Sequence, residues 1–514
     1  MELAALIAGL QGWRGGGDCW KPQSVFGQQC RKMLLLRWIL LVFVLVVSVS
    51  SQGPRQWATP RDISMFGAVF QWFEAAVEMI FGYFYNPGSK RRSTDRSERV
   101  SYKNYQVLRV RPSTQEARDE LQNLIGEPGL EFWSLPMKNR TTDILVSPDL
   151  AEYMKEYLAD KDIGFTVLSN NLEMDIKKQN PKTSKFTGRL EEKSARAHPL
   201  TWARYHRAKD IDAYLEYLAA LEPKLVSLIT IGKSSEGRPL KVVKISTNKK
   251  RSEKPGIWID AGMHGREWIA PAVALFMLKQ LVENYSTNRA VVDSVDWYIM
   301  PLANPDGYEY THNTDRFWRK SRSKKNRPHE MGRIFWDEDE RCGGVDLNRN
   351  FDFHWGEAGA SDNACGPTYA GPRPFSEPET KAIADFILEQ EGLKAYLTLH
   401  SYSQMWLLPW GYTRQIAKDH DDLMYVGRRA IEALQKVHGT IYKIGSSPSL
   451  LYPTSGSSDD WAKGRAGIKY SYTVELRDRG TYGFLLPGSQ IVPTGRETFA
   501  AVKVIAKHIA KGTD

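Results

Sequence analysis

Gly256-Ile-Trp-Ile-Asp-Ala261 runs directly into Gly262-Met-His264-Gly-Arg266-Glu267-Trp268, after which Ile269–Asn284 carries apolar residues at helical spacing. A short apolar run bounded by glycine suits a strand buried on both faces, and the amphipathic stretch suits a helix laid across it. The pattern repeats: Val295–Leu302, Ala395–Leu399 and Tyr470–Val474 read as strands, Glu377–Gln390 and Asp421–Val437 as helices. Buried strands interleaved with helices predict an α/β sandwich over residues 198–514. In such sheets functional groups gather at the carboxyl ends of strands. His400 and Glu475 end two of the runs, and His264 follows a third by a short loop.

His264 and Glu267, three residues apart between a strand and a helix, supply an imidazole and a carboxylate. With His400 they make a set of three, the number of protein ligands a catalytic zinc takes while keeping a position for water. The spacing alone is weak, because a chance surface pair gives the same pattern; the placement at strand ends strengthens it.

The chain has 514 residues, 42% of them hydrophobic, which excludes a disordered or collagenous protein. Its net charge of +10 is spread in short runs such as Lys90-Arg91-Arg92, so no nucleic-acid partner is expected. The cysteines are Cys19, Cys30, Cys342 and Cys365, too few for a disulfide scaffold. Arg31 and Lys32 precede the apolar run Trp38–Val49 and small Ser50-Ser51, the order of a secretory signal and too short to span a membrane comfortably. Initiation at Met33 and cleavage near Ser51 are expected, giving a secreted, extracellular protein. Cys19 and Cys30 would leave with the signal, so a single Cys342–Cys365 disulfide is expected. Asn139-Arg-Thr and Asn284-Tyr-Ser are glycosylation sequons consistent with export.

Between the signal and the sandwich, Ile63–Tyr85 reads as an amphipathic helix, packed on its own protein in preference to a membrane surface through residues 62–85, with a basic linker behind it. Next come a strand at Tyr105–Val110, a helix at Thr114–Leu124, strands at Leu130–Leu135 and Thr142–Val146, a helix at Ser147–Leu158 and a strand at Gly164–Leu168. This βαββαβ order predicts a ferredoxin-like α+β unit. A polar, basic stretch with Arg189, Lys193 and Arg196 follows, either a plain linker or a site of proteolytic nicking.

Six blocks carry a resemblance: Ala261-Gly-Met-His-Gly-Arg-Glu-Trp268, Asn304-Pro-Asp-Gly-Tyr308, Arg316-Phe-Trp-Arg-Lys320, Asp346-Leu-Asn-Arg-Asn-Phe351, Leu399-His-Ser-Tyr-Ser-Gln404 and Thr473-Val-Glu-Leu-Arg-Asp478. In this order, over nearly everything from Tyr102 to Asp514, the chain resembles the pancreatic-type zinc carboxypeptidases. The resemblance implies a zymogen that hydrolyses the C-terminal peptide bond of peptides and proteins. Its parts would be an extension and signal (1–51), helix and linker (52–101), inhibitory propeptide (102–178), activation linker (179–197) and catalytic domain (198–514). It implies a three-layer α/β/α catalytic sandwich with a mixed eight-stranded sheet, one Zn2+ per chain, a monomer, and an activating trypsin-like protease.

Carried over by residue, the zinc ligands fall on His264, Glu267 and His400, the general base on Glu475, and the group polarising the scissile carbonyl on Arg319. Read without the motif, Arg319 belongs to the basic run Arg316–Lys325, which could equally be a solvated face. Asn348 and Arg349 match the anchor for the substrate's terminal carboxylate, and a guanidinium fork suits that task. Arg266, Ser401 and Tyr402 match subsite positions, Tyr452 matches the tyrosine that closes over substrate, and Cys342 with Cys365 match the family disulfide. In Ser458-Asp459-Asp460-Trp461, Asp459 takes the position that goes with Lys or Arg specificity, and Ser447 leaves room for a long side chain. Gly411 is closer to the branch that takes aliphatic and aromatic residues, the alternative specificity. Between Arg319 and Cys342 the chain is longer than members of that family, and Ile63–Tyr85 has no family counterpart. The alternative of another class is an inactive peptide-binding relative; such relatives lose a ligand or the base, and all four residues are present here.

Overall fold

Ile257 and Ile259 project from one face of a strand into one core, and Trp258 from the other face into a second core. That double burial is why the run is apolar throughout. The computed structural model describes residues 99–181, 200–247, 254–323 and 342–512. The expected signal, the 63–85 helix, the basic positions Arg189, Lys193 and Arg196, and the long stretch before Cys342 lie outside the described residues.

The first described unit is β1 (Gln106–Val110), α1 (Gln115–Asn123), β2 (Leu130–Phe132), β3 (Thr142–Val146), α2 (Ala151–Asp160), β4 (Phe165–Ser169) and α3 (Leu172–Gln179). The four strands pair antiparallel in the order β2-β3-β1-β4. Thr114 caps α1 by accepting the Ala117 N–H at 3.1 Å. The α3 helix was not anticipated. Its two apolar anchors, Leu172 and Ile176, pack with Phe317, Phe484 and Leu485 of the larger unit, a partnership invisible in a local window.

The larger unit runs α4 (Ala208–Leu221), β5 (Val226–Lys233), β6 (Pro239–Ile245), β7 (Gly256–Ala261), α5 (Ile269–Leu281), α6 (Tyr285–Val292), β8 (Asp296–Met300), α7 (Pro305–Asn313), α8 (Pro378–Leu388), β9 (Leu393–Ser401), β10 (Met405–Leu408), α9 (His420–His438), β11 (Lys443–Ser446), α10 (Ser447–Leu450), α11 (Ser458–Gly464), β12 (Tyr470–Leu476) and α12 (Ile491–Ile509). Its eight strands form one mixed sheet, β11-β10-β12-β9-β7-β8-β6-β5, parallel through β12, β9, β7 and β8. Helices α4, α5, α9 and α12 cover one face. On the other, α8 contributes Ile383 and Ile387 and α11 contributes Trp461. Cys342 and Cys365 are joined, with an S–S distance of 2.03 Å.

Candidate active site

The parallel register aligns Glu475 of β12 with His400 of β9, and Ala261 at the end of β7 with Leu399. The loop after β7 then brings His264 and Glu267 to the same sheet end. Gly265 makes that loop possible: a Cβ there would stand 2.5 Å from the Gly307 carbonyl oxygen.

His264, Glu267 and His400 are all buried, each with a ligand atom within 4.8 Å of the other two. The Nδ1 of His264 is 2.8 Å from one Glu267 oxygen, the Nδ1 of His400 is 2.9 Å from the other, and the two ring nitrogens are 3.1 Å apart. The opposite nitrogens are held from behind. Nε2 of His264 meets Asp346 Oδ1 at 2.9 Å, and Nε2 of His400 lies 3.1 Å from the Thr398 hydroxyl and 3.2 Å from the Asn348 amide. Two imidazoles and a carboxylate aimed at one point, with an outer ring of orienting partners, fit a divalent cation such as zinc.

Glu475 sits beside this cluster without belonging to it. Burial, with Glu267 close by, holds its carboxyl up at about 7, although His400 and Arg319 pull it down. Arg319 donates to Asp346 Oδ2 from Nη2 at 2.8 Å and approaches His264 Nδ1 at 3.2 Å. Burial works against both charges of that pair, but their mutual attraction wins: Asp346 is held well below the usual carboxylate range and Arg319 above its own. The run Arg316–Lys325 is therefore not a solvated face over its described part. Arg316 is 1% exposed, stacks 3.7 Å from the Trp268 ring and donates to the Phe484 carbonyl.

A cavity of about 530 Å³ opens from the cluster. Arg319, Asn348, Arg349, Ser401, Tyr402, Tyr452 and Asp459 line it with the three cluster residues and Glu475. Arg349 is buried, its Nε donating to the Gly359 carbonyl at 2.9 Å and Nη1 to that of Asn348 at 2.6 Å. Asn348 also accepts the Ser458 N–H at 2.8 Å, linking this corner to α11. Asp459 is 3% exposed, and burial pushes its carboxyl up.

Two of the expected subsite residues are held by the first unit. Arg266 Nη1 donates to Glu131 Oε1 at 2.6 Å, and the Tyr402 hydroxyl to Asp143 Oδ2 at 2.5 Å. Asp143 is itself clamped by Arg109 through two bonds of 2.7 Å. Glu131, Asp143 and Asp346 were not singled out in the sequence. Asp346 carried a signal, standing two residues before Asn348 in a quoted block; the other two carried none, because their partners are more than a hundred residues away.

Residues 211–501 match the family model described as zinc carboxypeptidase, and residues 108–179 match that of the carboxypeptidase activation peptide. Carboxypeptidase B of Astacus astacus is 48% identical over 311 residues, covering 60% of this chain and 98% of that protein. Carboxypeptidase A1 of Mus musculus is 38% identical over 418 residues, covering 79% and 94%. The crystal structure of thrombin activatable fibrinolysis inhibitor is similar at a TM-score of 0.71 and 38% identity, covering 80% of this chain and 100% of that one.

Proposed function

Because the chain belongs to the zinc carboxypeptidase family, activation peptide included, we propose that it is a secreted zymogen whose processed form removes C-terminal Lys and Arg. His264, Glu267 and His400 would hold the zinc, which when bound would supply a Lewis acid and lower the pKa of a water to near neutrality. Glu475, buried beside that cluster, is the group that would take a proton from the attacking water and return it to the leaving amine. Arg319, fixed by Asp346, stabilises the charge that develops on the carbonyl oxygen, an effect worth roughly 3–4 kcal/mol for one such donor. Asn348 and Arg349 take the substrate's free carboxylate, which confines the enzyme to chain ends.

The observation that carries the specificity is Asp459, a buried carboxylate in the wall of the same cavity. Burial disfavours its charge, so a cationic side chain is the partner that satisfies it. Gly411, the feature that pointed to apolar substrates, has a local explanation. A Cβ there would lie 2.3 Å from the Thr454 hydroxyl, so packing against that loop also favours the glycine. The relative in Astacus astacus bears the name carboxypeptidase B, which supports the same reading.

The test is trypsin activation of the full chain followed by release assays on peptides that differ only in their last residue. Lys and Arg released faster than Leu and Phe, with one zinc per chain and loss of activity on chelation, is the expected result. Faster release of Leu and Phe would replace this reading with the apolar one.

A further inference from the structure

A serine at a helix N-cap ordinarily spends its hydroxyl on the first turn, accepting a backbone N–H two or three residues on. Ser457 is the N-cap of α11, with extended backbone at φ −77° and ψ 153°, yet it makes no such bond. Its hydroxyl oxygen is buried and has no hydrogen-bond partner of good geometry among the described residues. A buried hydroxyl without a well-formed partner is costly, so a ligand donor that reaches it is favoured. Ser457 lines the cavity with Asp459, and its hydroxyl is close enough to that carboxylate to favour the ionised form, as does Thr473 from β12.

Resting on the basic-specificity reading, we propose that Ser457 is a specificity-determining residue that makes the pocket prefer a C-terminal arginine over lysine. The reason lies in counting donors. A guanidinium brings five N–H groups in a rigid plane, and one carboxylate accepts two of them side by side. The remaining donors, buried with the side chain, need further acceptors. A hydroxyl can donate its proton to Asp459 while its lone pairs accept from the guanidinium, so Ser457 serves both sides at once. An ammonium brings three donors at a single point, and Asp459 with water or the Ser447 hydroxyl suffices. Removing Ser457's acceptor therefore strands an arginine N–H and leaves lysine nearly as well served.

The experiment compares kcat/KM of the trypsin-activated, zinc-loaded enzyme on two peptides identical but for a terminal Arg or Lys. In Ser457→Ala the Arg-to-Lys ratio should fall about 10-fold, the loss of one hydrogen bond to a charged group, mostly through KM. Thermal stability should change little, because no cap bond is lost; a purely structural serine would show the reverse, a lower Tm and an unchanged ratio. Ser457→Cys, which keeps the volume and weakens the acceptor, should lower the ratio as well. An unchanged ratio in both variants overturns the inference while leaving basic specificity intact. Native preference for Leu or Phe over both basic residues overturns the basic-specificity reading and this inference with it.

Discussion

Glu475 and Asp459 are both buried carboxylates in one cavity, and their surroundings set different tasks. Glu475 neighbours His400 in the strand register and titrates near neutrality, where a proton acceptor is most useful. Replacing it with Gln preserves shape and removes the acceptor. In Glu475→Gln, bound zinc measured by atomic absorption should stay at one per chain while kcat falls at least about 100-fold; His400→Ala should lose most of the metal. Asp459 has no place in that chemistry. On the proposed reading its charge attracts a terminal Lys or Arg, and leaving it unpaired against an apolar residue costs several kcal/mol. Asp459→Ile should therefore turn preference toward Leu and Phe with zinc content unchanged. Retained preference for Lys and Arg would show that the pocket's selectivity lies elsewhere.

At the level of elements, the β7-loop-α5 segment was legible because everything that specifies it is local: an apolar run, a glycine-bearing loop and a helical period. The ends of β9 and β12 were legible for the same reason. What the sequence hid were contacts made across the fold. Helix α3 exists because Leu172 and Ile176 find Phe317 and Phe484, and Arg316 is interior because Trp268 and three polar partners receive it. Glu379, in the first turn of α8, is another hidden case. It accepts the Ser235 N–H at 2.7 Å, tying α8 to the β5–β6 turn, and is fully buried. Burial, with Glu377 and Asp306 nearby, pushes its carboxyl up to about 7. The folded state then holds a proton that the unfolded chain has released, so stability is greatest below about pH 4.5 as far as this group is concerned and falls as pH rises toward 7. Glu379→Gln, which keeps the acceptor for Ser235, removes that slope. Urea unfolding should find the variant more stable than the native chain at pH 8, by an amount on the order of 3 kcal/mol, and nearly equal at pH 5. A native advantage at pH 8 would contradict the assignment.

Across the whole molecule, latency follows from which groups the activation peptide occupies. It leaves the proposed zinc ligands and Glu475 in place and instead takes two residues proposed to contact a peptide substrate, Arg266 through Glu131 and Tyr402 through Asp143. Trp133, stacked on Phe317 and edge-on to Phe484, seals the apolar ground between them. Because the proposed ligands and base are already positioned, activation on this reading needs no rearrangement of the site, only departure of the mask. Cutting among Arg189, Lys193 and Arg196 converts an intramolecular contact into one that dissociates on dilution. Limited trypsin digestion should therefore yield an active catalytic fragment beginning near His198. The sharper test weakens the mask without a cut. In Glu131→Gln/Asp143→Asn both acceptors lose their negative charge, which weakens the bonds from Arg266 and Tyr402 and should raise the activity of the uncut chain by about 10-fold or more, while the trypsin-cut enzyme matches the native one because both substitutions leave with the peptide. If the uncut double variant stays as silent as the native zymogen, the two carboxylates are not what holds the cleft shut, and the Trp133 seal becomes the element that must be broken.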